Sequence, residues 1–141
     1  MAEKILVVDD EPDMLKLLAM IIRDKTKYES VTTNNPHEAV ELVKKGGFTI
    51  VITDLKMPGL DGIELLEAVR RLDEDIPVIF ITAYGSVESA VETMQKGGFD
   101  FITKPFKKEQ ILFTIEKAMK FVALQRENKQ LKEQLKGARS A

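Results

Sequence analysis

The most constraining feature of the sequence is a short apolar run that ends in a carboxylate. Residues 48–53 read FTIVIT, and Asp54 follows them directly. A run this short, in which every residue is apolar or β-branched, is typical of a strand buried on both faces. Such strands occur in open α/β sheets, where ligands bind at the carboxyl ends of the strands. We therefore predict that Asp54 lies at the end of a central strand, available for chemistry rather than packing.

Apolar runs and amphipathic segments alternate along the whole chain. Strands are predicted at 4–8, 28–33, 48–53, 77–82 and 100–103, each followed by a helix. Asn35 and Ser86 have the chemistry of N-caps, and Glu38 is predicted to close a capping box with Asn35. Alternation of this kind indicates a parallel sheet with helices on both faces. We predict a flavodoxin-like (βα)5 doubly wound α/β fold with strand order 2-1-3-4-5, the polar second strand nearest an edge, and an extended C-terminal helix.

The composition excludes several kinds of site. The chain of 141 residues, 44% of them apolar, suffices for one domain with a core plus an extension. It has no Cys and a single His, His37, which excludes disulfides and multi-His metal sites. A net charge of −2 gives no reason to expect binding to nucleic acid or to a membrane surface. No membrane span or signal peptide is apparent, so a cytoplasmic protein is expected.

Polar side chains follow four of the five predicted strands. Asp9 and Asp10 follow the first strand and Asp54 the third, Thr82 ends the fourth, and Lys104 follows the fifth. In the predicted order these strands are neighbours, so their polar groups converge. Three crowded carboxylates repel one another unless a cation lies among them, and Mg²⁺ prefers oxygen ligands of this kind. The sequence therefore predicts a Mg²⁺ site with one fixed positive charge and one hydroxyl beside it.

These groups suit the formation of an aspartyl phosphate. A carboxylate can attack a phosphoryl group to form an acyl phosphate, and the transition state spreads negative charge over the phosphoryl oxygens. Mg²⁺ and Lys104 would meet that charge, and the Thr82 hydroxyl could bind the product. Taken singly, Asp9 and Asp10 could be a solvated helix start, and Asp54 a turn residue. Their joint occurrence favours the chemical interpretation.

With MPGLDG after the central acid and KP after the lysine, this set resembles the receiver domain of two-component response regulators. The resemblance covers residues 3 to about 120. It implies a signalling switch rather than an enzyme, in which a sensor histidine kinase phosphorylates Asp54. It also implies that Asp10, Asp54 and the main-chain carbonyl of Lys56 bind Mg²⁺ with help from Asp9, that Thr82 and Lys104 contact the phosphoryl group, that Thr82 and Phe101 form the switch, and that Lys56 and Tyr84 tune dephosphorylation.

The C-terminal stretch departs from a bare receiver, because helix-forming residues continue to about position 136. Its apolar residues are spaced as in a heptad seam, with Asn128 at an a position. We predict a receiver at 1–120 and a helical linker at 121–141 that forms a short parallel coiled coil and makes the protein a homodimer. A frayed helix or a flexible linker is the alternative. The predicted seam consists of Phe121, Leu124, Asn128, Leu131 and Leu135.

Residues 82–106 resemble the receivers of NtrC/DctD-type activators of the nitrogen-type sigma factor, sigma-54. In that family a linker helix joins the receiver to an ATPase domain and a DNA-binding domain. Neither a Walker A pattern nor a helix-turn-helix segment occurs in this sequence. We expect the natural protein to continue beyond Ala141 and the effector domains to lie there.

Other functions remain possible from the residues alone. A stand-alone receiver or a phosphorelay intermediate would carry the same site. A haloacid-dehalogenase-type phosphatase also uses an aspartyl nucleophile, but its DxDx(T/V) motif would need Asp at Glu11 and Thr or Val at Asp13. A flavodoxin-like flavin module needs a phosphate-binding loop after the first strand, where Asp9 and Asp10 would repel a phosphate.

Overall fold

The computed structural model describes residues 3–83 and 85–140, with side chains described as far as Gly137. A single sheet of five parallel strands has the order β2-β1-β3-β4-β5, which confirms the predicted topology. The elements are β1 (Lys4–Val8), α1 (Pro12–Lys25), β2 (Glu29–Thr33), α2 (Pro36–Lys45), β3 (Ile50–Thr53), α3 (Gly62–Leu72), β4 (Val78–Thr82), α4 (Val87–Gln95), β5 (Asp100–Thr103) and α5 (Lys108–Ser140).

The pleat of the central strands divides the core into two layers. Alternate residues of β1, β3 and β4 point to opposite faces, so both faces of these strands are buried. One layer contains Leu6, Val51 and Phe80 and packs against α2 and α3. The other contains isoleucines of the same strands and packs against α1 and α5. Edge strand β2 buries only Thr33, as its polar sequence predicts.

The helix starts follow the predicted caps, with one correction. The Asn35 side chain accepts hydrogen bonds from the backbone N–H groups of His37 and Glu38 at the start of α2. The predicted capping-box bond from Glu38 back to Asn35 is replaced by a different contact. The N–H of Asn35 donates to the Thr33 hydroxyl at 3.1 Å, so the preceding strand satisfies this donor.

Helix α5 continues past position 120 without a break. Val122 is 9% exposed and packs on the body of the domain, whereas Leu124, Leu131 and Leu135 are 50–64% exposed. The ring of Phe121 lies 5.4 Å from that of Phe99, so this first residue of the predicted seam is partly engaged with the receiver. Within the described residues, no helix combines the length and apolar character that a membrane span requires.

Gly62, the first residue of α3, brings that helix against the end of β3. A Cβ at this position would lie 2.4 Å from the carbonyl oxygen of Asp54 and 2.8 Å from Cα of Leu55. Both atoms belong to the backbone, so neither can move without displacing the loop that carries Asp54. Gly62→Ala is expected to lower the free energy of unfolding by about 1–3 kcal/mol, measured by urea denaturation.

Gly137→Ala is the matched control, because no heavy atom lies within 4 Å of its added Cβ. In the exposed end of α5 this change is expected to be neutral or to stabilise by up to about 1 kcal/mol. A Gly62→Ala protein as stable as the parent would show that the contact with β3 is not tight.

Candidate functional site

The carboxyl ends of β1, β3 and β5 bring two buried carboxylates to one ammonium group. Val8 pairs with Thr53 in the sheet, so Asp9 and Asp54 leave adjacent strands at the same level. Both carboxylates are almost completely buried, at 2% and 3% exposure. The Nζ of Lys104 lies 3.2 Å from Oδ2 of Asp9 and 3.2 Å from Oδ2 of Asp54. The predicted convergence of these three residues is observed.

Backbone donors fix the orientation of the two carboxylates. Oδ1 of Asp9 accepts the N–H of Glu11 at 2.9 Å, and Oδ1 of Asp54 accepts the N–H of Lys56 at 3.2 Å. Each carboxylate therefore has one oxygen on a loop N–H and the other on Lys104. Since these partners belong to the segments that follow β1, β3 and β5, the loop conformations set the geometry of the site before any ligand arrives.

The electrostatics of the site favour a bound cation. Burial raises the pKa of Asp9, and the N–H of Glu11 and the charge of Lys104 offset that rise only in part. Burial also lowers the pKa of Lys104, but the carboxylates of Asp54 and Asp9 outweigh it, and the net pKa lies above its ordinary value. Lys104 is thus a permanent positive charge. One ammonium group among several acids leaves the site with excess negative charge.

The acidic cluster has the composition of a site for a hard divalent ion. Carboxylate oxygens of Asp9, Asp10, Glu11 and Asp54 all lie within 4.8 Å of one another. Asp10 and Glu11 are exposed and line an open cleft, together with Asp54, Lys56 and residues of the following loop. An arrangement of several carboxylates at a solvent-accessible cleft suits Mg²⁺, which keeps part of its water shell. The donor set therefore fits this ion.

Glu11 is the one member of the cluster that the sequence analysis missed. Its carboxylate lies 4.0 Å from Nζ of Lys104, although its side chain is 64% exposed. The signal was present, since Glu11 directly follows Asp9 and Asp10 in the sequence. An acid at this position is equally typical of a helix start, and Glu11 does lie at the N-cap of α1, without making a capping hydrogen bond.

Thr82 and Phe101 lie on the two strands beyond Asp54. Thr82 is fully buried at the end of β4, and its carbonyl accepts the N–H of Lys104 at 2.8 Å. Phe101 is half-buried on β5, and its ring stacks on that of Phe80 with 6.4 Å between centroids. Thr82 thus lies at the carboxyl ends of the strands with Asp54 and Lys104, whereas Phe101 packs on the core layer that contains Phe80. Tyr84, predicted to tune dephosphorylation, lies outside the described residues.

Asp9→Asn is expected to stabilise the metal-free protein. The amide keeps an acceptor for the N–H of Glu11 and removes one buried charge. Because the folded-state pKa of Asp9 lies above its unfolded value, ionised Asp9 costs stability above that folded pKa. The cost disappears as the pH falls toward the unfolded value. In EDTA, Asp9→Asn should raise the urea midpoint at about pH 8 and match the parent near about pH 4.

Asp10→Asn serves as the control, since Asp10 belongs to the same cluster but is exposed. Its effect on the midpoint should be smaller, because water already solvates its charge. If Asp9→Asn instead has the lower midpoint at about pH 8, the Lys104 ion pair outweighs the burial of Asp9, and the account of the electrostatics is wrong.

The comparisons with known proteins agree with this fold. The response regulator receiver domain profile matches residues 5–116. The nitrogen assimilation regulatory protein NtrX of Azorhizobium caulinodans is 35% identical over 135 residues, which cover 94% of this chain and 30% of that protein. NtrX from Brucella abortus, solved with ADP, superposes with a TM-score of 0.86 at 34% identity, covering 93% of this chain and 30% of that one.

A third relative is an isolated receiver, and this chain covers almost the whole of it. The beryllofluoride-activated NtrC4 receiver domain dimer has a TM-score of 0.80 at 34% identity, covering 84% of this chain and 98% of that one. The chain described here therefore spans less than a third of the two NtrX proteins and nearly all of an isolated receiver. The fold, the strand-end residues and these matches lead to one conclusion: the chain belongs to the response regulator receiver domain family.

Proposed function

We propose that this chain is a phosphorylation-dependent signalling switch in which Asp54 accepts a phosphoryl group from a sensor histidine kinase. The observation that carries the proposal is the position of Lys104, whose ammonium lies 3.2 Å from Asp54 beside a cluster of acids. The cleft along Asp10 and Lys56 gives a phosphodonor access to the carboxylate. Such a chain is a phosphoacceptor with at most slow self-catalysed phosphorylation and dephosphorylation.

In the reaction, a carboxylate oxygen of Asp54 attacks phosphorus as the P–N bond of the phosphohistidine breaks. The electron pair of that bond stays on the leaving imidazole. Lys104 is already largely desolvated beside Asp54, so its charge lies next to the place where negative charge develops on the phosphoryl oxygens. Mg²⁺ bound by Asp10, Asp54 and the carbonyl of Lys56, with Asp9 and Glu11 nearby, would neutralise further charge.

Asp54 is expected to be the single phosphorylated residue. With acetyl phosphate and Mg²⁺, intact-mass spectrometry should show one added phosphoryl group in the parent and none in Asp54→Asn or in EDTA. Lys104→Ala should slow labelling by roughly 100-fold, the usual effect of losing one preorganised charge.

Asp61→Asn is the matched control for this experiment. Asp61 lines the same cleft and caps α3 through a hydrogen bond from the N–H of Glu64. Asn can make that bond too, so this variant should label at the parental rate. Labelling of Asp54→Asn at the parental rate, or labelling that is insensitive to EDTA, would refute the assignment.

Signal transmission is proposed to run from Thr82 to Phe101. In the phosphorylated protein the Thr82 hydroxyl moves toward a phosphoryl oxygen, and the ring of Phe101 repacks in the space behind it. The surface that changes comprises α4, β5 and α5. Close packing supports this route, because a Cβ on Gly85 would lie 2.4 Å from the Thr103 side chain and 3.1 Å from Phe101. A movement of this loop must therefore displace its neighbours on β5.

The chain is further proposed to be the receiver of a cytoplasmic sigma-54-type transcription activator. The supporting observation is its similarity to the N-terminal part of NtrX, a protein more than three times as long. Bound ADP in the Brucella abortus NtrX structure is consistent with an ATPase domain in such a protein. In this proposal the receiver itself binds neither DNA nor membrane, and the ATPase and DNA-binding domains act downstream of it.

The extension of α5 is proposed to make the protein a homodimer through a short parallel coiled coil. Leu124, Leu131 and Leu135 are exposed in the single chain and so remain available to a second copy. The NtrC4 receiver was solved as a dimer, which supports the same state here. The seven Lys/Arg and three Asp/Glu residues of positions 116–141 oppose pairing at low salt. A weak, concentration-dependent dimer is therefore expected.

Truncating two seam residues should weaken this dimer. Leu131→Ala with Leu135→Ala is expected to raise the dissociation constant by at least about tenfold, since each dimer loses four apolar side chains from the seam. Sedimentation equilibrium of the full chain, with and without beryllofluoride, measures this. Point substitutions are preferable to a chain stopped after Met119, because that truncation also removes the packed side chain of Val122.

Gln130→Ala with Glu133→Ala is the control on the outer face of the same turns. Both side chains are exposed and lie outside the seam positions. This variant should keep the parental dissociation constant. A monomeric parent at high micromolar concentration in both states would mean that the heptad spacing is a coincidence and that the tail is only a linker.

A further inference from the structure

The amino-terminal ends of the strands, at the opposite side of the sheet from Asp54, lie against the extension of α5, defined here as residues 121–136. A small cleft of about 170 Å³ is formed there by the loops that precede β3 and β4 and by this helix. Thr49 and Ile76 contribute from the loops, and Val122 from the helix. Val122 is only 9% exposed. The first turns of the extension therefore still pack against the receiver domain.

Two ion pairs continue this contact along the helix. Nη1 of Arg126 lies 2.8 Å from Oε1 of Glu3, and Nη2 lies 3.4 Å from Oε2, so the guanidinium contacts both oxygens. The Thr49 hydroxyl donates to the same carboxylate. One turn further, the ammonium of Lys129 contacts the carboxylate of Asp75. Glu3 precedes β1, and Asp75 precedes β4.

The partners of the helix are held in place by their own surroundings. The N–H of Asp75 donates to the carboxylate of Asp73 at 2.9 Å, which fixes the loop before β4. The hydrogen bond from Arg126 is the main cause that lowers the pKa of Glu3. Glu3 and Asp75 belong to the segments that lead into β1 and β4, and the far ends of these two strands carry Asp9 and Thr82.

The contacts with the domain and the exposed leucines use different faces of the helix. Val122, Arg126 and Lys129 follow one another at intervals of four and three residues, which places them on one face. If the seam residues occupy heptad positions a and d, these three occupy b, f and b, on the far side from the seam. A second copy could therefore bind the leucines without displacing either ion pair.

We propose that the pairs Arg126–Glu3 and Lys129–Asp75 form an electrostatic clamp that fixes the direction of the α5 extension relative to the sheet. The clamp makes the extension a rigid continuation of the receiver, anchored on the edge away from the loops that bind the phosphoryl group. This inference deepens the proposed function, because a helix that swung freely could not pass a change in the receiver to a downstream domain.

Hydrogen exchange of the full chain, at a concentration where it is monomeric, tests the clamp. In Arg126→Ala with Lys129→Ala, backbone amides of residues 123–136 are expected to exchange about threefold to tenfold faster than in the parent. Ala is the stronger helix former, so faster exchange cannot come from helix propensity. Raising the salt concentration should accelerate exchange in the parent but not in this variant, because salt screens the pairs.

Two further variants control the experiment. Lys132→Ala removes from the same helix a charge that makes no ion pair within the described part of the chain, so it should leave exchange unchanged. The exchanged pair Glu3→Lys with Arg126→Glu should restore slow exchange, whereas either change alone should not. Amides of β1 and β3 report whether every variant keeps its fold.

The proposal is overturned if the Arg126→Ala/Lys129→Ala variant exchanges like Lys132→Ala, or if the exchanged pair behaves like its two single variants. Labelling of Asp54 by acetyl phosphate in the same preparations separates this result from the proposed function. A variant that loses the clamp should still be phosphorylated at the parental rate. A parent that shows the clamp but accepts no phosphoryl group would contradict the function and leave the clamp intact.

Discussion

The ammonium group of Lys104 lies between two buried carboxylates, and the organisation of the site depends on this contact. Without that charge, Asp9 and Asp54 would be two anions facing each other at less than 4% exposure. Lys104 partly neutralises them and remains charged, since their attraction outweighs the effect of its burial on its pKa. Because the acids still outnumber it, the cluster keeps excess negative charge, which is the composition of a site for a divalent cation.

The carboxyl ends and the amino ends of the parallel strands hold different parts of the molecule. The carboxyl ends hold Asp54 and Lys104 on loops whose conformation is set by backbone hydrogen bonds and by the close approach of Gly62. The amino ends bind the extension of α5 through Glu3 and Arg126. The central strands β1, β3 and β4 are almost completely buried and closely packed, so they are the stiff part of the molecule. The extension of α5 is therefore attached to the stiff part of the molecule.

The sequence predicted the parts of this molecule that follow from local pattern. Periodicity located the strands, and their alternation with helices indicated the flavodoxin-like strand order. In that order, the residue types at the strand ends place Asp54 and Lys104 together. Contacts between distant segments were not predictable in this way. Nothing in the spacing of the tail indicates that Arg126 meets Glu3, 123 positions earlier, because surface ion pairs leave no periodic signal. Glu11 was missed for a related reason, since an acid at a helix start has an ordinary explanation.

A crystal structure of this protein with Mg²⁺ and beryllium fluoride tests the central claim most directly. Beryllium is expected to bond to a carboxylate oxygen of Asp54, with Nζ of Lys104 and the Thr82 hydroxyl contacting the fluorides. Mg²⁺ is expected to contact Asp10 and Asp54, and the ammonium group of Lys104 is expected to have moved away from Asp9. If the fluorides bind elsewhere, or if Lys104 stays between Asp9 and Asp54 while they bind, the ammonium group only neutralises buried acids and does not serve phosphoryl transfer.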